Sequence, residues 1–394
     1  MEEKYVSLID RWGMDVDSYE SGVSPGRRRA FCKECIYFQT ENALKCEKYI
    51  NSEKPSEVLH SKRECEYFTS KKPIEIDVKE DGVKSKKLGA LFGFVCGDMI
   101  GVPVEFENRT ERREDPVKNA RAYGTYNQPI GTWSDDTSLT LALIDCINKG
   151  FSMSALADGF VKFLRQAKYT PYGKVFDIGN TTITAIANIE KGVPYNKCGG
   201  SEESDNGNGS LMRILPLGLL WYSEQDEIMI SMIEDVSRIT HAHPRSLFAC
   251  LFYSYFVKKI LECESKEEAF DKTIEYFNQP LFDKKYEDER KVYERIISRK
   301  IIALDEKEIK STGYVVDSLE AAIWCFVNEN STRDVILKAV NLGGDTDTIA
   351  AIAGGLAGAF YGIADVPNSW IQLMAKKELL LDSFSTFICD KGDE

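Results

Sequence analysis

The sequence predicts an all-helical protein that follows a small cysteine-rich domain at the N-terminus. The chain has 394 residues, 43% of them hydrophobic and 29% charged, which is enough for a buried core and a charged surface. From Leu88 onward the apolar residues recur at helical spacing, as in TSLTLALIDCI and DSLEAAIWCFV, and alternating segments are rare. We therefore expect a cysteine-rich domain over residues 1–70, a lysine-rich linker over residues 71–87 and a helical domain over residues 88–394.

Four cysteines with the spacing C-x2-C-x10-C-x18-C define the N-terminal domain. Two thiolates separated by two residues can hold one side of a tetrahedral zinc ion, and two later thiolates can complete the site. A domain of this size has few aliphatic residues, so a structural metal would compensate for a small core. An iron–sulfur cluster and four unconnected thiols remain open as alternatives. The predicted zinc ligands are Cys32, Cys35, Cys46 and Cys65.

The charge balance and the apolar runs limit the classes of partner. With 50 basic and 63 acidic residues the net charge is -13, which gives no default expectation of nucleic-acid binding. The acidic N-terminus lacks the pattern of a secretory signal, and the longest apolar stretches fall short of the ~20 residues of a membrane span. Seven further cysteines in apolar contexts are typical of buried thiols in a reducing compartment. We expect a cytoplasmic monomer with no membrane segment.

The first acidic motif, GTWSDDT over residues 131–137, stands just before an apolar helix. Ser134 can cap that helix, and Asp135 and Asp136 favour its positive end, so helix capping is one sufficient explanation. A hydroxyl and two adjacent carboxylates also make an oxygen-rich cation site.

The second acidic motif, NLGGDTDT over residues 341–348, precedes another apolar helix. Asp345 and Asp347 can both face a ligand, Thr348 adds a third oxygen, and Gly343 and Gly344 let the backbone approach closely. The small residues of the following GGLAGA segment permit close helix contact, which predicts that the two acidic helix starts meet. A shared set of oxygen ligands without His or Cys favours Mg²⁺ or Mn²⁺, and two ions are feasible.

Three further segments carry polar residues in unusual positions. Alternating glycines in SDNGNGS, residues 204–210, suit a phosphate at a helix start. His241, in THAHP, has the simple interpretation of a core histidine. In GDMIGVPVEF, Glu105 follows a tight Gly/Pro segment and can reach a cavity, whereas Asp98 interrupts an apolar helix as a structural hydrogen-bonding group.

The ordered set GDMIGVPVEF, GTWSDDTSLTLAL, FDIGNTTITAI, NGNGSLMRILPLG, THAHP and NLGGDTDTIAAIAGGLAGA resembles the ADP-ribosylglycohydrolase family, including the dinitrogenase reductase-activating glycohydrolases. The resemblance spans about Leu88 to Trp370. It implies a compact orthogonal helical bundle with two Mg²⁺ or Mn²⁺ ions. It also implies hydrolysis of the glycosidic bond between ADP-ribose and a modified protein side chain or small molecule.

The resemblance also implies roles for individual residues. Glu105 matches the family's acidic residue near the scissile ribose, and we expect Glu105 or Asp136 to accept the proton of the attacking water. The family usually has Thr at the position of Ser134, and the hydroxyl is preserved here. The implied metal ligands are Ser134, Asp135, Asp136, Asp345, Asp347 and Thr348. The implied substrate contacts are Gly207, Asn208, Gly209, Ser210 and His241, with Gly343 and Gly344 beside them.

Two other functions remain compatible with these motifs. The first is an inactive ADP-ribose-binding or structural protein on the same fold, and the second is a nucleotide phosphohydrolase that would release AMP instead of ADP-ribose. The acceptor, whether arginine, serine, a nucleobase or a metabolite, is left open, although the acidic composition favours arginine.

Overall fold

The computed structural model describes residues 72–76, 82–221 and 226–389, and within these ranges the secondary structure is helical, without a β-strand. The predicted all-helical fold is therefore confirmed for this part of the chain. In the described ranges, short 3-10 turns connect sixteen α-helices. In chain order these are α1 Val83–Gly101, α2 Arg109–Glu114, α3 Asp135–Asn148, α4 Met153–Gln166, α5 Asn180–Glu190, α6 Leu215–Leu219, α7 Asp226–Arg238, α8 Pro244–Glu262, α9 Lys266–Phe277, α10 Pro280–Val292, α11 Glu294–Ile297, α12 Val315–Asn328, α13 Thr332–Asn341, α14 Thr346–Tyr361, α15 Asn368–Leu373 and α16 Lys377–Cys389.

The start of α1 corrects the predicted linker boundary. Residues 83–87, which the sequence pattern assigned to the linker, form the first turns of this helix. Lysine has good helix propensity and a long aliphatic stem, and Lys87 is buried, so a lysine-rich segment can extend an apolar helix. The four N-terminal cysteines and their predicted zinc lie outside the described residues. Of the seven cysteines within them, six are buried and Cys389 is exposed.

Helices α1, α8 and α14 form the core and are buried along most of their lengths. The contact between α1 and α14 is made by small residues on both helices. A Cβ atom added to Gly93 or to Gly358 would overlap a backbone carbonyl of the opposite helix, those of Gly354 and Gly89 respectively. The backbones therefore touch directly, as the small residues of α14 predicted. The C-terminal end of α1, at Gly101, consequently packs against the backbone at the start of α14.

Asp98 connects α1 to the start of α3. Its fully buried carboxylate accepts hydrogen bonds from the Ser134 N–H at 2.9 Å, the Thr137 N–H at 3.1 Å and the Thr137 hydroxyl at 2.6 Å. Burial raises the pKa of Asp98 to about 6, and these hydrogen bonds oppose the rise. The structural role predicted for Asp98 is confirmed, and it places the N-terminus of α3 beside the end of α1.

One helical segment in the described residues, Val83–Val104, is long and apolar enough to cross a membrane by length and composition alone. The 18-residue window that meets this criterion is buried throughout the fold, because it contains the part of α1 that packs on α14. Core helices of globular proteins have the same composition.

Candidate active site

The starts of α3 and α14 meet, and their acidic side chains lie together. The Thr348 hydroxyl is 3.4 Å from the Asp136 carboxylate, which accepts its hydrogen bond. Asp135, Asp136 and Asp347 are each almost completely buried. The two acidic motifs, separated by about two hundred residues in the sequence, therefore form one cluster. The helix contacts described above bring them together.

A third group of carboxylates adjoins this cluster. One oxygen each from Glu105, Asp177 and Asp347 lie within 4.8 Å of one another. Asp177 lies in the loop before α5, has a φ of 61° and was not predicted as a site residue. The Tyr126 hydroxyl donates a hydrogen bond to the Asp177 carboxylate at 2.5 Å and so fixes its orientation.

Several carboxylate oxygens of the cluster are buried without a hydrogen-bond partner. Burial, together with neighbouring carboxylates, raises the pKa of Asp135, Asp136 and Asp347 well above the usual range and that of Glu105 to about 10. Unpaired buried carboxylate oxygens are costly unless protons or cations neutralise them. The oxygen-only donor set fits Mg²⁺ or Mn²⁺ better than zinc. The unpaired atoms are Glu105 Oε2, Asp136 Oδ2, Asp345 Oδ1 and Asp347 Oδ2.

Of the predicted metal ligands at the helix starts, Ser134 caps its helix with its side chain and Asp345 does not. The Ser134 hydroxyl accepts a hydrogen bond from the Asp136 N–H at 3.2 Å and so caps α3, as predicted. Its role as a metal ligand stays a prediction. Asp345 occupies the cap position of α14 but makes no side-chain capping bond. Its carboxylate instead accepts a hydrogen bond from the Asn208 side chain at 2.8 Å, and burial raises its pKa.

Five carboxylate residues line a cavity of about 270 Å³: Glu105, Asp135, Asp136, Asp177 and Asp345. The glycine-rich loop at Gly207–Gly209 and His241 also line it, and among the described residues that line it none is Lys or Arg. The volume is close to the lower end of small-molecule cavities in proteins. A ligand in this cavity would contact both acidic and neutral polar groups.

The glycine-rich loop is held against the acidic cluster and His241. The Asn208 side chain also donates to the Ser318 hydroxyl at 2.9 Å, which fixes its orientation toward Asp345. A Cβ atom at Gly209 would lie 2.8 Å from the His241 ring, so only glycine permits this contact. Burial, and then the charge of Arg213, lower the pKa of His241 to about 3, which keeps the ring neutral at pH 7.

Three predicted substrate contacts lie elsewhere. The Ser210 hydroxyl accepts hydrogen bonds from Ser237 at 2.9 Å and Cys250 at 3.4 Å and does not line the cavity, so its substrate contact stays a prediction. Gly343 and Gly344 have φ of 73° and 79°, and the space of a Cβ at each is filled by backbone of residues 107–109 and 311. The small size of these glycines serves packing between loops, so the structure adds no support for contact with substrate.

The fold and the site define an all-helical protein with an oxygen-rich acidic centre beside a small cavity. A sequence profile of the ADP-ribosylglycohydrolase family matches residues 79–390. The chain therefore belongs to the ADP-ribosylglycohydrolase family and is an enzyme of that family.

Individual relatives agree with this assignment. The chain is 31% identical over 293 residues, 73% of each sequence, to the ADP-ribosylarginine hydrolase Tri1 of Pseudomonas putida. It is 28% identical over 313 residues, 75% of this chain and 92% of the relative, to the ADP-ribosyl-[dinitrogen reductase] glycohydrolase of Rhodospirillum rubrum. A solved structure described as an ADP-ribosylglycohydrolase-related protein complex matches with a TM-score of 0.64 and 26% identity, covering 77% of this chain and 97% of that one.

Proposed function

We propose that this enzyme hydrolyses the N-glycosidic bond between ADP-ribose and a modified arginine, with two divalent cations, Mg²⁺ or Mn²⁺, in its acidic centre. The observation that carries the proposal is the meeting of the α3 and α14 acidic motifs at a cavity, with carboxylate oxygens left unpaired. Two similar proteins, from Pseudomonas putida and Serratia proteamaculans, are named ADP-ribosylarginine hydrolases. An acidic cavity, whose lining among the described residues contains no Lys or Arg, also suits a cationic acceptor.

The residues suited to hold the cations are those of the two motifs, with Glu105 and Asp177 adjoining them. Bound divalent cations would orient ribose hydroxyls and lower the pKa of a water molecule. Asp98 and Tyr126 do not enter this ligand set. They hold the start of α3 and the Asp177 carboxylate in place through the hydrogen bonds described above.

Three carboxylates are candidates to accept the proton of the attacking water. Asp136 already accepts from Thr348 with one oxygen, and the other oxygen is buried in the cluster, which favours metal ligation. Glu105 and Asp177 lie on the cavity side. Burial raises the pKa of Asp177 to about 6, and the Tyr126 hydrogen bond opposes the rise and orients the carboxylate. A general base must first lie within reach of the water, and both Asp177 and Glu105 line the cavity. We therefore assign this role to Asp177 or to Glu105, each of which bound cations would favour in its ionised form.

The neutral and the acidic residues of the cavity suit the two halves of the substrate. We place the ribose and diphosphate of ADP-ribose along Gly207–Gly209 and His241, where neutral polar groups and small residues allow close approach. The acceptor then lies toward Glu105 and Asp177, whose carboxylates would bind its guanidinium. As the glycosidic bond breaks, its electron pair goes to the guanidinium nitrogen, neutral guanidine leaves, and the positive charge passes to the ribose, where nearby carboxylates would stabilise it.

Product analysis tests this function. The purified full chain is incubated with an arginine-ADP-ribosylated peptide and a serine-ADP-ribosylated peptide, with Mg²⁺, with Mn²⁺ and with chelator, and products are identified by mass spectrometry. We expect metal-dependent release of ADP-ribose, with the arginine peptide preferred. Asp136→Asn and Asp345→Asn should each lower kcat/KM by about 100-fold or more, since each removes a charged group from the centre.

The control is Asp288→Asn, because the Asp288 side chain is 92% exposed and pairs only at the surface. This variant should retain wild-type activity, and thermal unfolding should show that all three variants remain folded. Release of AMP would instead identify a phosphohydrolase, and preference for the serine peptide would contradict the arginine assignment.

A further inference from the structure

An exposed aromatic side chain stands at the acidic side of the cavity. Phe106 lines the cavity directly after Glu105, and 68% of its surface is accessible. It is more exposed than any other large apolar side chain in the described part of the chain. Its place in the cavity lining, together with its exposure, makes the ring available to a bound ligand.

The backbone holds Phe106 in this exposed position. Its φ is 65°, a conformation that is uncommon for a bulky residue and persists where the surroundings impose it. The Phe106 N–H donates to the Gly344 carbonyl at 2.7 Å, and the Thr125 hydroxyl donates to the Glu105 carbonyl at 2.7 Å. The turn is therefore fixed on both sides by neighbouring loops of the site.

Phe106 is one end of a row of three rings, which we call the aromatic wall: Phe106, Tyr126 and Phe176. The ring centroids of Phe106 and Tyr126 are 6.4 Å apart, and those of Tyr126 and Phe176 are 5.0 Å apart. Both end residues of the wall are next to a carboxylate residue of the centre in the sequence. Glu105 precedes Phe106, and Asp177 follows Phe176. The exposed ring of Phe106 thus adjoins Glu105 in the sequence, and the half-buried Tyr126 donates a hydrogen bond to Asp177.

The cavity is also lined by neutral polar residues. Asn208 is bonded to Asp345, and His241, which is buried and neutral, packs on Gly209. A conjugate of ADP-ribose has its nucleotide on one side of the anomeric carbon and its acceptor on the other. A guanidinium is planar and cationic, so it stacks on aromatic rings and is attracted by carboxylates. The aromatic wall offers the rings, and the neighbouring Glu105 and Asp177 offer the carboxylates.

We propose that the aromatic wall is the acceptor subsite and that Phe106 determines acceptor specificity by stacking on the guanidinium of the modified arginine. This inference rests on the proposed hydrolysis of ADP-ribosylarginine. A serine acceptor has no planar cation and would gain little from the ring. The adenine ring of the substrate is the competing occupant of the wall, and the experiment distinguishes the two.

The experiment compares Phe106→Leu with Phe106→Tyr. Leucine keeps apolar bulk but removes the ring, whereas tyrosine keeps the ring. On the arginine-ADP-ribosylated peptide, we expect Phe106→Leu to lower kcat/KM by about fivefold to tenfold, the size typical of a partly desolvated cation–π contact. Phe106→Tyr should stay within about twofold of wild type for the same reason. Calorimetry with free ADP-ribose should give the same affinity for all three proteins, which also shows that the variants are folded.

Each other result overturns the inference. Wild-type kcat/KM in Phe106→Leu would show that the ring does not contact the acceptor. An equal loss of free ADP-ribose affinity in that variant would place the adenine on the wall. If the wild type does not cleave the arginine conjugate at all, the proposed function itself is wrong. The assay of the wild type alone shows this, without any variant.

Discussion

At the scale of single residues, the carboxylates of the site differ in how many hydrogen bonds they accept. Asp98 has three donors and is fully satisfied, whereas Asp347 keeps one buried oxygen without a partner. Asp177 lies between these cases, because Tyr126 orients one of its oxygens toward the cluster. Tyr126 is thus a positioning residue, which acts through Asp177.

Replacing Tyr126 tests this role. Tyr126→Phe removes the hydroxyl that donates to Asp177, and hydrogen bonds to charged groups contribute about 1.5–3 kcal/mol. We expect kcat on the arginine conjugate to fall by roughly tenfold or more, since ~1.4 kcal/mol corresponds to tenfold, with KM changed much less.

Tyr169→Phe is the matched control for that variant. Its hydroxyl also donates to an aspartate, Asp145, at 2.7 Å, but neither residue lines the cavity that contains the acidic cluster. Steady-state kinetics should show wild-type kcat in Tyr169→Phe. Equal losses in both variants, or an unchanged kcat in Tyr126→Phe, would remove Tyr126 from the site.

At the scale of helices, the contact of α1 with α14 positions the centre. Small residues at intervals of four on α1, at Gly89, Gly93 and Gly97, face small residues of α14. The start of α14 therefore lies against the C-terminal end of α1. The Asp98 side chain, near that end of α1, is hydrogen-bonded to the start of α3. The position of the second acidic motif thus depends on a contact where the two helix backbones meet directly, and that of the first depends on the Asp98 side chain.

Enlarging one of these residues should destabilise the fold. A Cβ on Gly354 would overlap the Gly93 carbonyl, and overpacking of this kind costs about 1–3 kcal/mol, so Gly354→Ala should lower the free energy of unfolding by that amount. Gly159, inside α4, has its nearest prospective neighbour at 3.6 Å. Gly159→Ala should therefore be neutral or stabilising by up to ~1 kcal/mol. Urea unfolding measures both, and equal stability of the two variants would contradict a tight helix contact.

At the scale of the whole molecule, the periodic sequence patterns of helices predicted more of the structure than the sequences of the loops did. Helical spacing predicted the helical fold, and the small residues of α14 predicted a close helix contact. Its partner α1 was not predicted, although glycines recur at every fourth residue along that helix. The acidic motifs were visible because each combines several oxygens at a helix start. Asp177 and Tyr126 were missed because each is a single polar residue in an irregular segment, and only the folded loops bring them together.

Cation binding by the joined motifs is the central claim, and calorimetric titration of metal-free protein with Mn²⁺ tests it most directly. Asp136 and Asp345 come from different motifs, so Asp136→Asn and Asp345→Asn should each weaken Mn²⁺ binding by at least about tenfold. Asp288→Asn, altered at an exposed position, should bind as the wild type does. If either site variant binds Mn²⁺ with wild-type affinity and stoichiometry, the two motifs do not form one metal centre.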